Sequence, residues 1–495
     1  TRGRDKYKSY LVSNLIAREA IRDEMGWLQT IRSGGIFAEP GQTATALEPD
    51  LEAITEILSG AADPIRSGYS FVAAPSIRYF DGRGANRPWL SEVPEPVSRV
   101  AWQSTVFIHP QTLKAEALRQ GDVIKVSTRW GDLQSPVYEA PGVKPGVLMM
   151  PIGLGHTDYG RYAAGRGAHA MNLLEARSSA ETTLPNFVVD GVNLQNTGRR
   201  MKLAHTDGSR NDYGRKIALS IHFDRLGELD QKKKAGLAMW DFPLTLPLPE
   251  GYDPKRDFYP PHDHAGYRWS MAVDMDRCIG CGACAAACYA ENNIGIVGEE
   301  RIVEGREMAW LQVVRYENAA NPEKITWLPL MCQHCDNAPC ESVCPVYAPH
   351  HNKEGMNNQI YNRCIGTRFC AQNCPYKVRR FNWFTWQWPE PTQYQLNPNV
   401  TVRSKGVMEK CSFCIQRIKV AHGVAKNENR KIRDGEVLPA CVQTCPTGAL
   451  IFGNLMDKDS RIRKLVDSEP RVYQIMGYLN TKPAVFYLKK VTHYV

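Results

Sequence analysis

The rhythm of apolar and polar residues changes along this chain. Ser9 to Ile31 reads as an amphipathic helical stretch, a break rich in Gly, Pro and Thr follows at Gly34 to Thr45, and Glu48 to Ser59 predicts a second helix. From Phe71 the pattern turns to short alternating strands. Gly121-Asp122 leads into the strand Val123–Val126, Gly131-Asp132 marks a hairpin, and Pro141-Gly142 and Pro145-Gly146 mark further turns. This predicts a small β-barrel. The glycine-rich loop Gly153, Gly155 and Gly160 lacks a phosphate-binding spacing and reads as a tight turn of that barrel. Pro243, Pro247, Pro249, Pro254, Pro260 and Pro261 then predict an extended, ordered connector. No apolar run reaches the roughly 18 residues of a membrane-crossing segment, so no transmembrane helix of its own is expected.

At 495 residues, 43% hydrophobic and 23% charged, the composition is that of a globular chain and excludes general disorder. The net charge of +9 is too mild to predict nucleic-acid binding, though it allows an acidic or lipid partner. The chain opens on Thr1 with no apolar signal core behind it. The expectation is a processed chain or the later portion of a longer one, without an export address in the sequence shown.

The 15 cysteines change the picture, because all lie between Cys278 and Cys445. Cys278, Cys281, Cys284 and Cys288 follow C-x2-C-x2-C-x3-C; Cys332, Cys335, Cys340 and Cys344 follow C-x2-C-x4-C-x3-C; Cys364, Cys370 and Cys374 form a third group; Cys411 and Cys414 with Cys441 and Cys445 form the fourth. Two residues between thiolates let one loop wrap three corners of an iron–sulfur cubane, and the cysteine three residues on points to another cluster. In the third group Thr367 stands where the pattern asks for cysteine. A hydroxyl is no soft thiolate, so the reading is a [3Fe–4S] cluster, the alternative being [4Fe–4S] with water or the Thr367 hydroxyl at the open iron. Zinc prefers four ligands from two knuckles, which only Cys411, Cys414, Cys441 and Cys445 match well. Disulfides within C-x2-C would be strained and labile. His334, inside the second motif, reads as a surface residue or one behind the ligands. Phe381, Trp383, Phe384, Trp386 and Trp388 predict packing that shields a cluster, or a docking face for a membrane partner. Lys377, Arg379 and Arg380 predict a basic surface beside them.

Residues 268–455 resemble the four-cluster iron–sulfur subunit of the molybdopterin oxidoreductase superfamily. That resemblance implies one [4Fe–4S] cluster on Cys278, Cys281, Cys284 and Cys445, a second on Cys288, Cys411, Cys414 and Cys441, and a third on Cys332, Cys335, Cys340 and Cys374. It implies a [3Fe–4S] cluster on Cys344, Cys364 and Cys370, with Thr367 at the vacant corner as a non-ligand. Ile108-His109-Pro110 and Leu118–Ile124 resemble the C-terminal barrel domain of the same superfamily. The fusion of the two is similar to the later portion of the iron–sulfur subunit of bacterial alternative complex III, a quinol:acceptor oxidoreductase.

The fold class expected is α+β: a molybdopterin-oxidoreductase-like barrel followed by a double ferredoxin-like domain. The expected division is a helical tail of an upstream domain (1–70), the dinucleotide-binding-like barrel (71–200), a proline-rich connector (201–267), the four-cluster domain (268–455) and a C-terminal tail (456–495). The resemblance implies an integral membrane quinol-binding (NrfD/PsrC-like) partner, c-type haem subunits and a peripheral place on the extracytoplasmic side of a membrane complex. It implies no molybdenum in this chain and no nucleic acid. No general acid, base or nucleophile stands out, so quinol chemistry is expected in a partner. The competing reading is the electron relay of a true molybdenum or tungsten enzyme.

Overall fold

The computed structural model describes residues 2–33, 35–36, 50–52, 55, 68–175, 186–206, 208–229, 262, 264, 266–318, 321–322 and 324–493. The chain divides into a unit up to Pro64 and a second from Ile65 to Val495.

In the first unit the single helix expected over Ser9–Ile31 is two, Arg2–Ala17 and Glu24–Ser33. The break has a local cause. Glu19 takes a left-handed conformation, with φ at 56°, and the Asp23 carboxylate accepts the Gly26 amide at 2.8 Å, capping a new helix. Most of the expected helix Glu48–Ser59 and all six connector prolines lie outside the described residues.

The second unit opens with a closed barrel of β1 (Tyr69–Ala74), β2 (Val106–Ile108), β3 (Asp122–Ser127), β4 (Asp132–Glu139), β5 (Val147–Pro151) and β6 (Val188–Arg200), ordered β1-β5-β2-β4-β3-β6. The hairpin at Gly131-Asp132 joins β3 to β4, with Ser127 opposite Asp132. Alternate residues fill the interior: Phe71, Val106, Ile108, Ile124, Val126, Val137, Leu148 and Met150 are all fully buried.

The cysteine-bearing half carries β7 (Ser220–His222), β8 (Trp269–Asp274), β9 (Leu311–Glu317), β10 (Ile325–Met331), β11 (Pro349–His351), β12 (Asn357–Gln359), β13 (Arg380–Phe381), β14 (Met408–Glu409), β15 (Leu450–Asn454), β16 (Val472–Tyr473), β17 (Val485–Leu488) and β18 (Lys490–Thr492). A four-stranded sheet, β15-β8-β17-β16, is its centre. All six residues of β8 are buried, as befits a strand covered on both faces. Residues 456–495, expected as a tail, supply β16 and β17 to this sheet and the helix Arg461–Ser468. That helix lays Ile462 and Val466, one turn apart, against Phe486 and Leu488 of β17. Expectation failed here because no cysteine marks the segment, while its apolar run Val485–Leu488 pairs in parallel with β8.

Barrel and cysteine-bearing half are joined by buried polar contacts. Arg99 donates to the Val313 carbonyl at 2.6 Å, Arg315 to the Tyr138 hydroxyl at 2.8 Å and the Trp89 indole to the Ile294 carbonyl at 2.9 Å. Glu92 accepts the amides of Val297 at 3.1 Å and Gly298 at 2.7 Å and the Trp102 indole at 2.9 Å. Each replaces water around a buried group, the condition under which burying it is tolerable.

Candidate iron–sulfur centre

Four knuckle loops carry the cysteines except Cys441 and Cys445, which lie on and just after the helix Ala440–Thr444, and the four share one backbone device. The residue before the second position of each knuckle is left-handed: Gly280 (φ 72°), His334 (45°), Gly366 (77°) and Phe413 (52°). This conformation costs a non-glycine residue of order 1–3 kcal/mol. It curls the loop so that amides face the sulfurs, as when the Phe413 amide donates to Cys411 Sγ at 3.4 Å. Where glycine occupies the place, space also requires it: a Cβ at Gly280 would lie 2.6 Å from the Trp327 ring, and one at Gly366 2.5 Å from the Gly406 carbonyl.

The loops Cys278-Ile279-Gly280-Cys281 and Cys364-Ile365-Gly366-Thr367 correspond residue for residue. Two residues after each glycine, a left-handed N-cap, Gly282 or Arg368, opens a helix, Ala283–Glu291 or Phe369–Asn373. Thr367 thus occupies the place that Cys281 holds in its own loop. It lines a small cavity with Cys344, Cys364 and Cys370.

All fifteen cysteines are free thiols, ten of them buried. Their mutual effects show which are neighbours. Burial pushes the Cys278 thiol up to about 11, with Cys281 and Cys445 adding to the rise. Cys284 is raised by burial and by Cys278, Cys281 and Cys445. Cys288 is raised by burial, Cys411 and Cys414; Cys441 by burial, Cys414, Cys411 and Cys288. Cys335 is raised by burial, Cys332, Cys374 and Cys340. Cys340 and Cys370 share a small packed cluster with Met408, Cys364 and Phe381. Bare thiolates crowded in this way are unfavourable, and cationic iron is the partner that reverses the sign.

The neighbour sets touch in sequence. Cys284 and Cys288 lie one turn apart on one helix face, a rise of about 6 Å. Cys411 is pushed up to about 12 by burial, with Cys332 among its neighbours. Cys340 and Cys370 pack together.

Hydrogen bonds reach the sulfurs from outside the motifs. The amides of Ala348, Ala449 and Met408 donate to Cys344, Cys445 and Cys364 at 3.3, 3.3 and 3.4 Å. Burial works against the Cys445 thiolate, but hydrogen bonds from Thr447, Ala449 and Leu450 outweigh it and lower that thiol's pKa. Buried Asn292 directs its amide to Cys288 Sγ at 3.6 Å and toward Cys414 Sγ at 4.0 Å. Sequence reasoning missed Asn292, though its place four residues after Cys288 was the available signal.

One expectation is decided and one corrected. Of the two places expected for His334, on the surface or behind the ligands, burial excludes the surface: it is fully buried, its ring stacked 3.9 Å from that of Phe413. Burial, then Lys410, Arg268 and His351, hold its pKa well below the ordinary histidine value, so the ring is neutral. Arg379 is likewise buried, at 5% exposure, because the chain turns inward between Cys374 and β13. Arg380 pairs with Glu307 at 3.3 Å, and Lys377 remains exposed. The aromatic segment is half-buried packing: Trp388 meets Trp89 of the barrel side edge-on at 4.9 Å, Arg301 lies 3.4 Å over Phe384, and Arg306 lies 4.0 Å over Trp383.

Among the described residues no three His, Cys, Asp or Glu side chains converge as on a single metal ion.

A 4Fe-4S dicluster domain model matches residues 277–348 and another matches 323–390, while a Molydopterin dinucleotide binding domain model matches 91–187. The iron-sulfur cluster-binding subunit of menaquinone reductase from Nitratidesulfovibrio vulgaris is 41% identical over 229 residues, 45% of this chain and 89% of that one. Hdr-like menaquinol oxidoreductase iron-sulfur subunit 1 of Archaeoglobus fulgidus is 37% identical over 242 residues, 45% of this chain and 83% of that one. The iron-sulfur subunit of arsenate respiratory reductase from a Shewanella species is 30% identical over 251 residues, 45% of this chain and 96% of that one. Among solved structures, acetylene hydratase from Pelobacter acetylenicus aligns with 34% of this chain and spans 22% of its own length, at 18% identity and a TM-score of 0.21, too slight a likeness to bear on the fold. The cysteine spacing, the buried thiol sets and the relatives agree: this chain belongs to the family of iron–sulfur electron-transfer subunits of molybdoenzyme-type oxidoreductase complexes, with a molybdopterin-type dinucleotide-binding barrel in the same polypeptide.

Proposed function

We propose that this chain is the electron relay of a membrane-bound quinol:acceptor oxidoreductase of the alternative complex III type, carrying three [4Fe–4S] clusters and one [3Fe–4S] cluster. The four-iron sets are Cys278, Cys281, Cys284 with Cys445; Cys288, Cys411, Cys414 with Cys441; and Cys332, Cys335, Cys340 with Cys374. The three-iron set is Cys344, Cys364 and Cys370, with Thr367 unable to offer a thiolate at the fourth corner.

The observation that carries this reading is the linear order of the sets. The Cys284–Cys288 turn, the Cys411–Cys332 proximity and the Cys340–Cys370 packing link each set to the next. An array with two ends suits transfer between two partners, and the three-cysteine set stands at one end. When bound, the clusters supply one-electron transfer over a wide range of potentials. The chain's own residues hold them in place, exclude water by burying ten thiols, and direct amides and Asn292 at the sulfurs. The partners in this reading are an integral membrane quinol-binding subunit beside the three-cysteine end and c-type haem subunits. The place is peripheral, on the extracytoplasmic side. Two relatives named for menaquinone chemistry support a quinol end. Among the described residues no helix is long and apolar enough to cross a membrane, and in this reading quinol chemistry belongs to the membrane partner.

The match of residues 91–187 to a dinucleotide-binding domain favours a second reading, the relay of a molybdenum or tungsten enzyme. Elemental analysis of the native complex separates them. The first reading requires iron without stoichiometric molybdenum or tungsten; the second requires one such metal per chain.

A further inference from the structure

The side chain of Arg379 is buried and cationic, and among the described residues no carboxylate pairs with it. Its Nη2 donates to the Gln359 side-chain oxygen. Nε and Nη1 make no hydrogen bond to a protein nitrogen or oxygen. Gln359 lines the cavity of Cys344, Cys364, Thr367 and Cys370, so its partner Arg379 stands beside that cavity. The sulfurs of Cys340, Cys370 and Cys332 are the anionic groups that act on the guanidinium, and Cys340 and Cys370 belong to one packed cluster.

An isolated buried cation is costly unless anionic charge lies close. Here the anionic groups are sulfurs of two neighbouring sets, Cys340 and Cys332 from one and Cys370 from the other. On the reading proposed above, we infer that Arg379 is the shared counter-charge of the three-cysteine cluster and its four-cysteine neighbour, and that its free N–H groups point to their sulfurs and hold both potentials up. Reduction adds negative charge to a cluster. A fixed cation therefore favours the reduced form of each, more strongly the closer and drier the site. Arg379 acts as a positioning and tuning residue, not as a ligand.

The test is an EPR-monitored redox titration of the intact complex bearing Arg379→Gln, which removes charge but keeps an amide donor, and Arg379→Lys, which keeps charge. Arg379→Gln should lower the reduction equilibrium constant of the three-iron cluster by about tenfold, about 59 mV for a one-electron couple, with iron content unchanged. Arg379→Lys should recover part of that shift. Gln359→Glu, which places a carboxylate on Arg379 without removing it, should lower the constant in the same direction and serves where Arg379→Gln fails to assemble. An unmoved three-iron potential in Arg379→Gln, or in Gln359→Glu, overturns the inference. Absence of any three-iron signal in the unaltered complex instead overturns the cluster assignment beneath it.

Discussion

Glu92 offers a stability experiment whose size follows from the structure. It is 4% exposed and accepts three hydrogen bonds, two from amides of the cysteine-bearing half. Burial, only partly offset by those donors, raises its carboxyl from 4.5 to about 7. The folded chain therefore keeps a proton that the unfolded chain releases between pH 4.5 and 7. The associated stability is fully present below pH 4.5 and is lost as pH rises through 7. At 1.36 kcal/mol per pH unit the loss amounts to about 3 kcal/mol. Glu92→Gln keeps an acceptor and cannot ionise. Urea unfolding of the cluster-loaded protein, under anaerobic conditions from pH 5 to 8, should show the variant gaining about 3 kcal/mol on the parent as pH rises. Parallel pH profiles for the two proteins would refute the argument that a buried, proton-holding Glu92 joins barrel and cysteine-bearing half.

Thr367→Cys should convert the three-iron cluster to a four-iron one, lower its potential and slow electron flow from quinol; an unchanged three-iron EPR signal would refute the ligand assignment. Asn292→Leu should lower the potential of the cluster on Cys288 and Cys414 alone, since it removes the amide directed at both sulfurs, and equal shifts in every cluster would count against it. Gly366→Ala should cost about 1–3 kcal/mol for the left-handed backbone alone and lose the three-iron signal before the others, because its Cβ meets the Gly406 carbonyl at 2.5 Å; EPR of the purified variant checks this.

Much of the site was legible because cysteine spacing encodes loop geometry directly. Cys284 and Cys288 had to share a helix face, and they do. The barrel was legible from its turns, since Gly131-Asp132 leaves few ways to join β3 to β4. The residues around the ligands were not. Asn292, His334 and Arg379 act through burial, and burial depends on what folds over them from elsewhere in the chain. Phe413, which stacks on His334, lies 79 residues away by the numbering of the two positions. The same holds for β17, whose apolar run is central only because β8, more than 200 residues earlier, pairs beside it. The one-helix expectation near the start failed on a local signal, the cap supplied by Asp23.

Metal content of the purified native complex, read with EPR of its oxidised and reduced forms, tests the central claim most directly. The account predicts about 15 irons attributable to this chain, a three-iron signal on oxidation, and neither molybdenum nor tungsten. About 16 irons with no three-iron signal would contradict the role given to Thr367, and a stoichiometric molybdenum or tungsten would make the chain the wiring of a metal–pterin enzyme instead.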